Sequence, residues 1–170
     1  MANELKNNPV AVDIPIGATQ TKLYNKLGYD PAVINANGRC YLIERNDKTI
    51  PAKHVSGTDY KDVLVNDKFD CQFFCIEDPK TLPTSGPKYS TNVEWIFLLN
   101  TLKLKPSIAH RADEECFVDI LGVFARVANF KIKEVIKGKD ALEDFDTDLE
   151  DREPWHFIKI VGTYNYSINC

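Results

Sequence analysis

The residues best able to do chemistry are His110, Asp113 and Glu114, a set that could ligate a metal or move protons. Their spacing straddles the start of a helix, where acidic side chains are already favoured against the positive end of the helix dipole. No second group with metal-ligand spacing follows them, so structural capping outweighs catalysis here. His54 and His156 have no partner nearby in the sequence. A phosphate-cradling glycine loop, a serine nucleophile elbow and a Cys/His pair at a recognisable spacing are all missing from the sequence.

A second concentration of ligand-type residues runs from Asp140 to Glu153, with eight carboxylates (Asp140, Glu143, Asp144, Asp146, Asp148, Glu150, Asp151, Glu153) opposed only by Arg152. Asp144, Asp146 and Asp148 alternate like the opening ligands of a calcium loop. Such a loop needs glycine at its sixth position and glutamate at its twelfth, and those positions are Leu149 and Trp155. The calcium reading fails. What remains is a solvated acidic loop, or an acidic patch that meets a basic surface on a neighbouring subunit and fixes register. The five cysteines are odd in number, and Cys71 and Cys75 share a strand face too far apart for an easy bridge. Buried free thiols are the expectation, and neither a cofactor nor a metal is expected.

These residues need a frame. Val93, Trp95, Phe97 and Leu99 share one face of an apolar strand and Ile96 and Leu98 the other, the pattern of a central strand covered on both sides. An amphipathic helix over about 113–128 follows, N-capped by Asp113, with Cys116, Ile120, Val123, Phe124 and Val127 in helical period and Phe117 and Leu121 at the margin. Phe130–Ile136 and a long terminal strand from about Trp155 are the next strands, the first ended by Gly138. Upstream, Ile14 and Ile16 alternate as extended chain. A short helix spans Thr19–Leu27, with Gly28 placed to end it. Strands cover Cys40–Arg45 and about Phe69–Ile76, and Asn46-Asp47-Lys48 forms a polar turn between the first of these and Thr49-Ile50-Pro51. The expected architecture is one α+β domain over 1–170: an antiparallel or mixed sheet, a helix packed on one face and a short N-terminal helix. Residues 1–13 are expected as an extended arm. The Pro-rich segment 78–89 is expected as a loop that cannot continue a ladder, with 140–153 as the acidic loop.

Composition limits the function. The chain has 170 residues, 44% hydrophobic and 27% charged, with a net charge of -4. Nothing concentrates lysine and arginine as tight nucleic-acid binding requires. No apolar run reaches the roughly 20 residues that span a bilayer, and the first residues lack the layout of a signal peptide. A reducing cytoplasm is the expected place of synthesis.

Four stretches carry a family resemblance. They are Asp13-Ile14-Pro15-Ile16, then Asp59-Tyr60-Lys61-Asp62-Val63-Leu64-Val65-Asn66-Asp67-Lys68, then His110-Arg111-Ala112-Asp113-Glu114-Glu115, and Pro154-Trp155-His156-Phe157 ahead of the tyrosine-bearing terminal strand. Together they resemble proteins from the virion structural gene cluster of crAss-like and related phages of Bacteroidetes. The strand-helix-strand layout is also similar to phage tail-terminator and head-to-tail joining proteins. The resemblance implies a ring-forming virion subunit without enzymatic turnover. It would contact copies of itself and adjacent portal, neck or tail proteins, with genomic DNA passing through the lumen unbound. It supplies no catalytic residue. The expected interface residues are Asp78, Pro83 and Pro87 in the Pro-rich excursion and Asp144, Asp146, Asp148 and Asp151 in the acidic loop, together with the N-terminal arm. Lys61, Lys103 and Lys105 are expected to stay out of the bore. The rival expectation is a small α+β enzyme or ligand-binding module built on His110, Glu114 and His156; a third is a host-directed regulatory protein acting as monomer or dimer.

Overall fold

In the computed structural model, residues 3–27, 32–64, 71–108 and 112–168 are described. The element order is α1 (Asp13–Leu27), β1 (Ile34–Arg45), β2 (Lys48–Ser56), β3 (Asp59–Asp62), β4 (Cys71–Ser85), β5 (Lys88–Asn100), the short α2 (Thr101–Leu104), α3 (Asp113–Phe124), β6 (Phe130–Lys137) and β7 (Trp155–Ser167). The strands form one seven-stranded sheet in the order β3-β2-β1-β4-β5-β7-β6. Every neighbouring pair is antiparallel except β1 with β4, so the sheet is mixed. With helices packed on one face, this is the expected α+β arrangement. No helix among the described residues is long and apolar enough to cross a membrane.

β5 sits inside the sheet because both its faces are apolar. Val93, Trp95, Phe97 and Leu99 join Phe73, Ile160 and Tyr164 beneath α1 and α3. Ile96 and Leu98 join Phe74, Phe157, Ala141, Leu142 and Phe145 on the reverse face. One polar chain is threaded through the larger core: Trp95 Nε1 donates to the Tyr164 hydroxyl (3.2 Å), which donates to Thr19 Oγ1 (2.6 Å), which donates to the Pro15 carbonyl (2.9 Å). Every buried polar group on that path has a partner, as burial demands.

Several boundaries differ from the expectations. α1 begins at Asp13, so Ile14 and Ile16 are helical, not extended. Pro15 falls in the first turn, where an amide has no intrahelical partner to lose. Ile16, Thr19, Gln20, Leu23 and Leu27 then face the core. α3 stops at Phe124, short of 128, and Val127 packs from the following turn, where its N–H reaches the Phe124 carbonyl. Asp113 is the first helical residue and not the N-cap. The cap is Ala112, which has no side-chain bond to give, while Asp113, Glu114 and Glu115 fill the first turn. Gly28, Phe69 and His110 lie outside the described residues.

The Pro-rich segment is not a loop. β4 runs on to Ser85 and pairs Thr81 with Thr91, Leu82 with Ser90 and Pro83 with Tyr89, with register shifts after Glu77 and Pro83. The prolines are tolerated because β1 leaves β4 after Ile76, giving the outer stretch a free edge where a missing amide breaks no ladder bond. The segment 3–12 does not project either. Asn3 bridges Ala36, the Glu4 N–H donates to the Ala36 carbonyl, and Glu4 pairs with Lys53 at 2.6 Å.

Candidate functional site

β1 leaves β4 after Ile76, and beyond Thr81, Thr91 and Tyr164, where β6 also ends, the sheet narrows to a tongue of three strands, the outer parts of β4, β5 and β7. β5 pairs with β7 as far as Lys88 opposite Ser167. Asp78 lies at its base, where the carboxylate accepts the Lys80 N–H at 2.9 Å. Pro83 lies on its flank, in one cross-strand row with Tyr89 and Tyr166, whose rings stack at 6.1 Å. Pro87 lies at its tip, after Gly86 at φ +56°, and its carbonyl accepts the Ile168 N–H at 3.0 Å. Leu82 emerges on the opposite face, 61% exposed. The tongue therefore gathers the first three expected interface residues and offers apolar surface on both sides. Prolines on its free edge obstruct strand addition, so contact through its faces is favoured over contact through its edge.

The acidic segment is built differently from a solvated loop. A single 3-10 turn, Lys139–Leu142, opens it, and Ala141, Leu142 and Phe145 plug into the reverse-face core. The Asp144 carboxylate accepts from Lys159 Nζ at 2.7 Å. Asp146 accepts the Thr49 N–H at 2.7 Å, and its own N–H donates to the Thr49 carbonyl at 3.1 Å. Asp151 accepts the Phe157 N–H at 2.7 Å. These three carboxylates fasten the segment to the sheet, whereas Asp148, Leu149 and Glu150 are left facing solvent.

Lys159 is the charge at the centre of this arrangement. Its side chain is 3% exposed, with Asp144 at 2.7 Å, Glu143 at 3.6 Å and Glu94 at 3.9 Å. Burial pulls its pKa down, but the hydrogen bond to Asp144 and the surrounding carboxylates outweigh this and hold it above the ordinary lysine value. Burial in turn lifts Glu94 above the usual range, against the pull of Lys159. A raised lysine pKa means stabilisation that is complete below the unfolded value and lost as pH rises through the folded one. Lys159→Met keeps the apolar stem and removes the charge. Because the carboxylates remain partly hydrated, the expected loss is about 1–2 kcal/mol by urea titration at neutral pH. The gap from wild type should close once pH exceeds the raised lysine value; a gap that is independent of pH would contradict the assignment.

The rival set is partly brought together. Glu114 and His156 line one cleft of about 260 Å3 with Asp113, Phe117, Lys137 and Asp151. His156 is 9% exposed, its Nδ1 is 3.6 Å from Asp151, and its buried Nε2 has no hydrogen-bond partner. Glu114 is paired with Lys137 at 2.5 Å, and that ammonium lies 3.7 Å from the centre of the Phe117 ring. An imidazole beside a carboxylate is half of an acid/base relay. Among the described residues, those that line the cleft include no hydroxyl or thiol that it could activate. Cys40, Cys71, Cys75 and Cys116 are free and buried. Burial pushes Cys40 up to about 12 and Cys116 up to about 11, and lifts Cys75 well above the ordinary thiol value. Such thiols are not nucleophiles at neutral pH. Among the described residues no three or more His, Cys, Asp or Glu side chains could hold a metal ion together.

A further cluster was not visible in the sequence. Gly38 lies in a bulge of β1, and a Cβ there would come 2.6 Å from Gln20 Oε1, so α1 presses directly on the strand. Beside it the Arg39 guanidinium holds Asp13 at 2.9 Å and Glu77 at 2.6 Å and lies 5.5 Å from the centre of the Tyr41 ring. Lys6 also pairs with Asp13. A cleft of about 600 Å3 opens over this network, lined further by Lys53 and His54. Asp13, Arg39 and Glu77 come from three separate elements, and no spacing rule links them.

The chain matches no protein-family model, no curated protein and no solved structure.

Proposed function

We propose that this protein is a non-enzymatic virion structural protein, a ring-forming subunit of a phage head-to-tail connector or tail terminator. In this reading it contacts copies of itself and adjacent portal, neck or tail proteins. It is assembled in the host cytoplasm and retained in the virion. The observation that carries the reading is the tongue of β4, β5 and β7, which stays paired, with two register shifts in β4, out to Ser85, Lys88 and Ser167 while exposing Leu82 on one face and Pro83 on the other. A strand-paired projection with a protected edge that exposes Leu82 and Pro83 adds little to one chain's own core and suits insertion between neighbours. DNA in the lumen would meet a mildly acidic wall and slide along it. Lys105, one of the lysines expected to stay out of the bore, is tied to Asp119 at 2.5 Å. Mass spectrometry of purified virions tests the reading: the chain should be present in several copies per particle, and its absence from particles of a phage that encodes it would refute the assignment.

The second reading, a small enzyme or ligand-binding module, is favoured by His156, which lines the cleft with Glu114 and whose buried Nε2 has no partner. It requires a turnover or ligand affinity that His156→Phe abolishes. The assembly reading requires that wild type and His156→Phe be equally inert against nucleotide and ester panels.

A further inference from the structure

A groove of about 650 Å3 separates α1 from α3 on the helix-bearing face. Its floor is apolar, formed by Val118, Gly122 and Val123, and its rim carries Lys22, Lys26 and Arg126. Val118 is 62% exposed, an unusual position for a valine on a helix that otherwise buries its apolar side chains. Gly122 is equally out of pattern: glycine weakens a helix interior, yet a Cβ placed there would meet nothing within 4 Å. The missing side chain leaves a notch beside Val118. Along the rim, Lys22 Nζ caps the Arg126 carbonyl at 3.3 Å, and Lys26 pairs with Asp119 at 3.1 Å. Among the described residues Asp119 is the only acidic one lining the groove, and Lys26 and Lys105 share it, so those residues leave the rim a positive balance.

The reverse face of the same chain carries the complementary shape. Leu149 is 38% exposed at the outer edge of the acidic segment, flanked by Asp148 and Glu150. The segment behind it is held rigid by Phe145 in the core and by Asp146 and Asp151 on the sheet. We infer that the α1–α3 groove receives the acidic segment of a second copy of this chain, with Leu149 seated over Gly122 and the flanking carboxylates set against Lys22, Lys26 and Arg126. The occupant is argued from charge complementarity and from position. The groove and the segment lie on opposite faces of the sheet, so a chain cannot fill its own groove, whereas a head-to-tail neighbour can. The apolar contact supplies burial and the charges supply register. This inference rests on the ring-subunit reading and names the contact that would propagate the ring.

Charge reversal in two halves tests it. Lys22→Glu with Arg126→Glu disables the groove and leaves the segment intact; Asp148→Lys with Glu150→Lys does the reverse. Each double variant alone should associate at least about tenfold more weakly than wild type by sedimentation velocity. Mixed together they should regain assembly as alternating copies, because the intact groove meets the intact segment and the reversed groove meets the reversed segment. All four substitutions in one chain should restore assembly. Gly122→Leu supplies a control for folding, since it should raise the melting temperature while blocking assembly. If wild type assembles and the variants assemble equally well, the inference fails and the ring reading stands. If wild type stays monomeric at every concentration tested, both fail.

Discussion

Replacing Phe145 by alanine is expected to destabilise the chain by about 3–4 kcal/mol. The ring is 7% exposed and lies 6.0 Å from Phe74, among Leu142, Ile96, Leu98 and Phe157. No helix covers this face of the sheet among the described residues, so the acidic segment is its lid and Phe145 is the anchor of the lid. Removing the ring opens a cavity between sheet and segment, and the clamp between Asp146 and Thr49 loses its backing. Urea titration gives the energy, and hydrogen exchange should show protection lost over 143–154. A freely solvated loop would register less than about 0.5 kcal/mol, and that result would overturn the description of the segment.

Gly162→Ala should cost about 2–3 kcal/mol. In an ordinary strand, alanine for glycine stabilises, because the unfolded chain loses freedom. Here the added Cβ would lie 2.2 Å from Phe130 Cζ and 2.7 Å from both Cε atoms. The ring cannot swing aside, since Phe124 is 4.9 Å away and Tyr164 4.8 Å away between ring centres. Phe130→Leu should recover part of the loss when combined with Gly162→Ala, giving a coupling energy that a double-mutant cycle resolves. Additive effects in that cycle, or stabilisation by the alanine alone, would show that the aromatic ring does not rest on the glycine.

The contrast between these two sites illustrates what a sequence displays. β5 was legible because Val93 to Leu99 is apolar on both faces, which only a covered strand explains. α3 was legible from its period, and its end was missed because Val127 continues that period from the turn beyond Phe124. The alternation of Ile14 and Ile16 is compatible with a helix's first turn, where Pro15 is tolerated, and the prolines of 78–89 are compatible with a strand. Proline excludes interior positions, but a helix's first turn and a sheet's free edge are not interior. The acidic segment was read from its charges, which concealed the three apolar residues that decide where it goes. Of the expected interface residues, Asp78, Pro83 and Pro87 share the tongue, and Asp148 faces outward, while Asp144, Asp146 and Asp151 hold the segment to its own sheet. The Arg39 cluster and the α1–α3 groove depend on which elements become neighbours, and that is settled by packing and not by local pattern.

The central claim is that this chain acts by closing on copies of itself. Electron microscopy of the purified full-length protein, with mass photometry on the same sample, tests that most directly. The account predicts closed rings of one copy number that come apart when salt screens the contact between acidic segment and groove. A particle that remains a single chain at all concentrations and salt levels would contradict it.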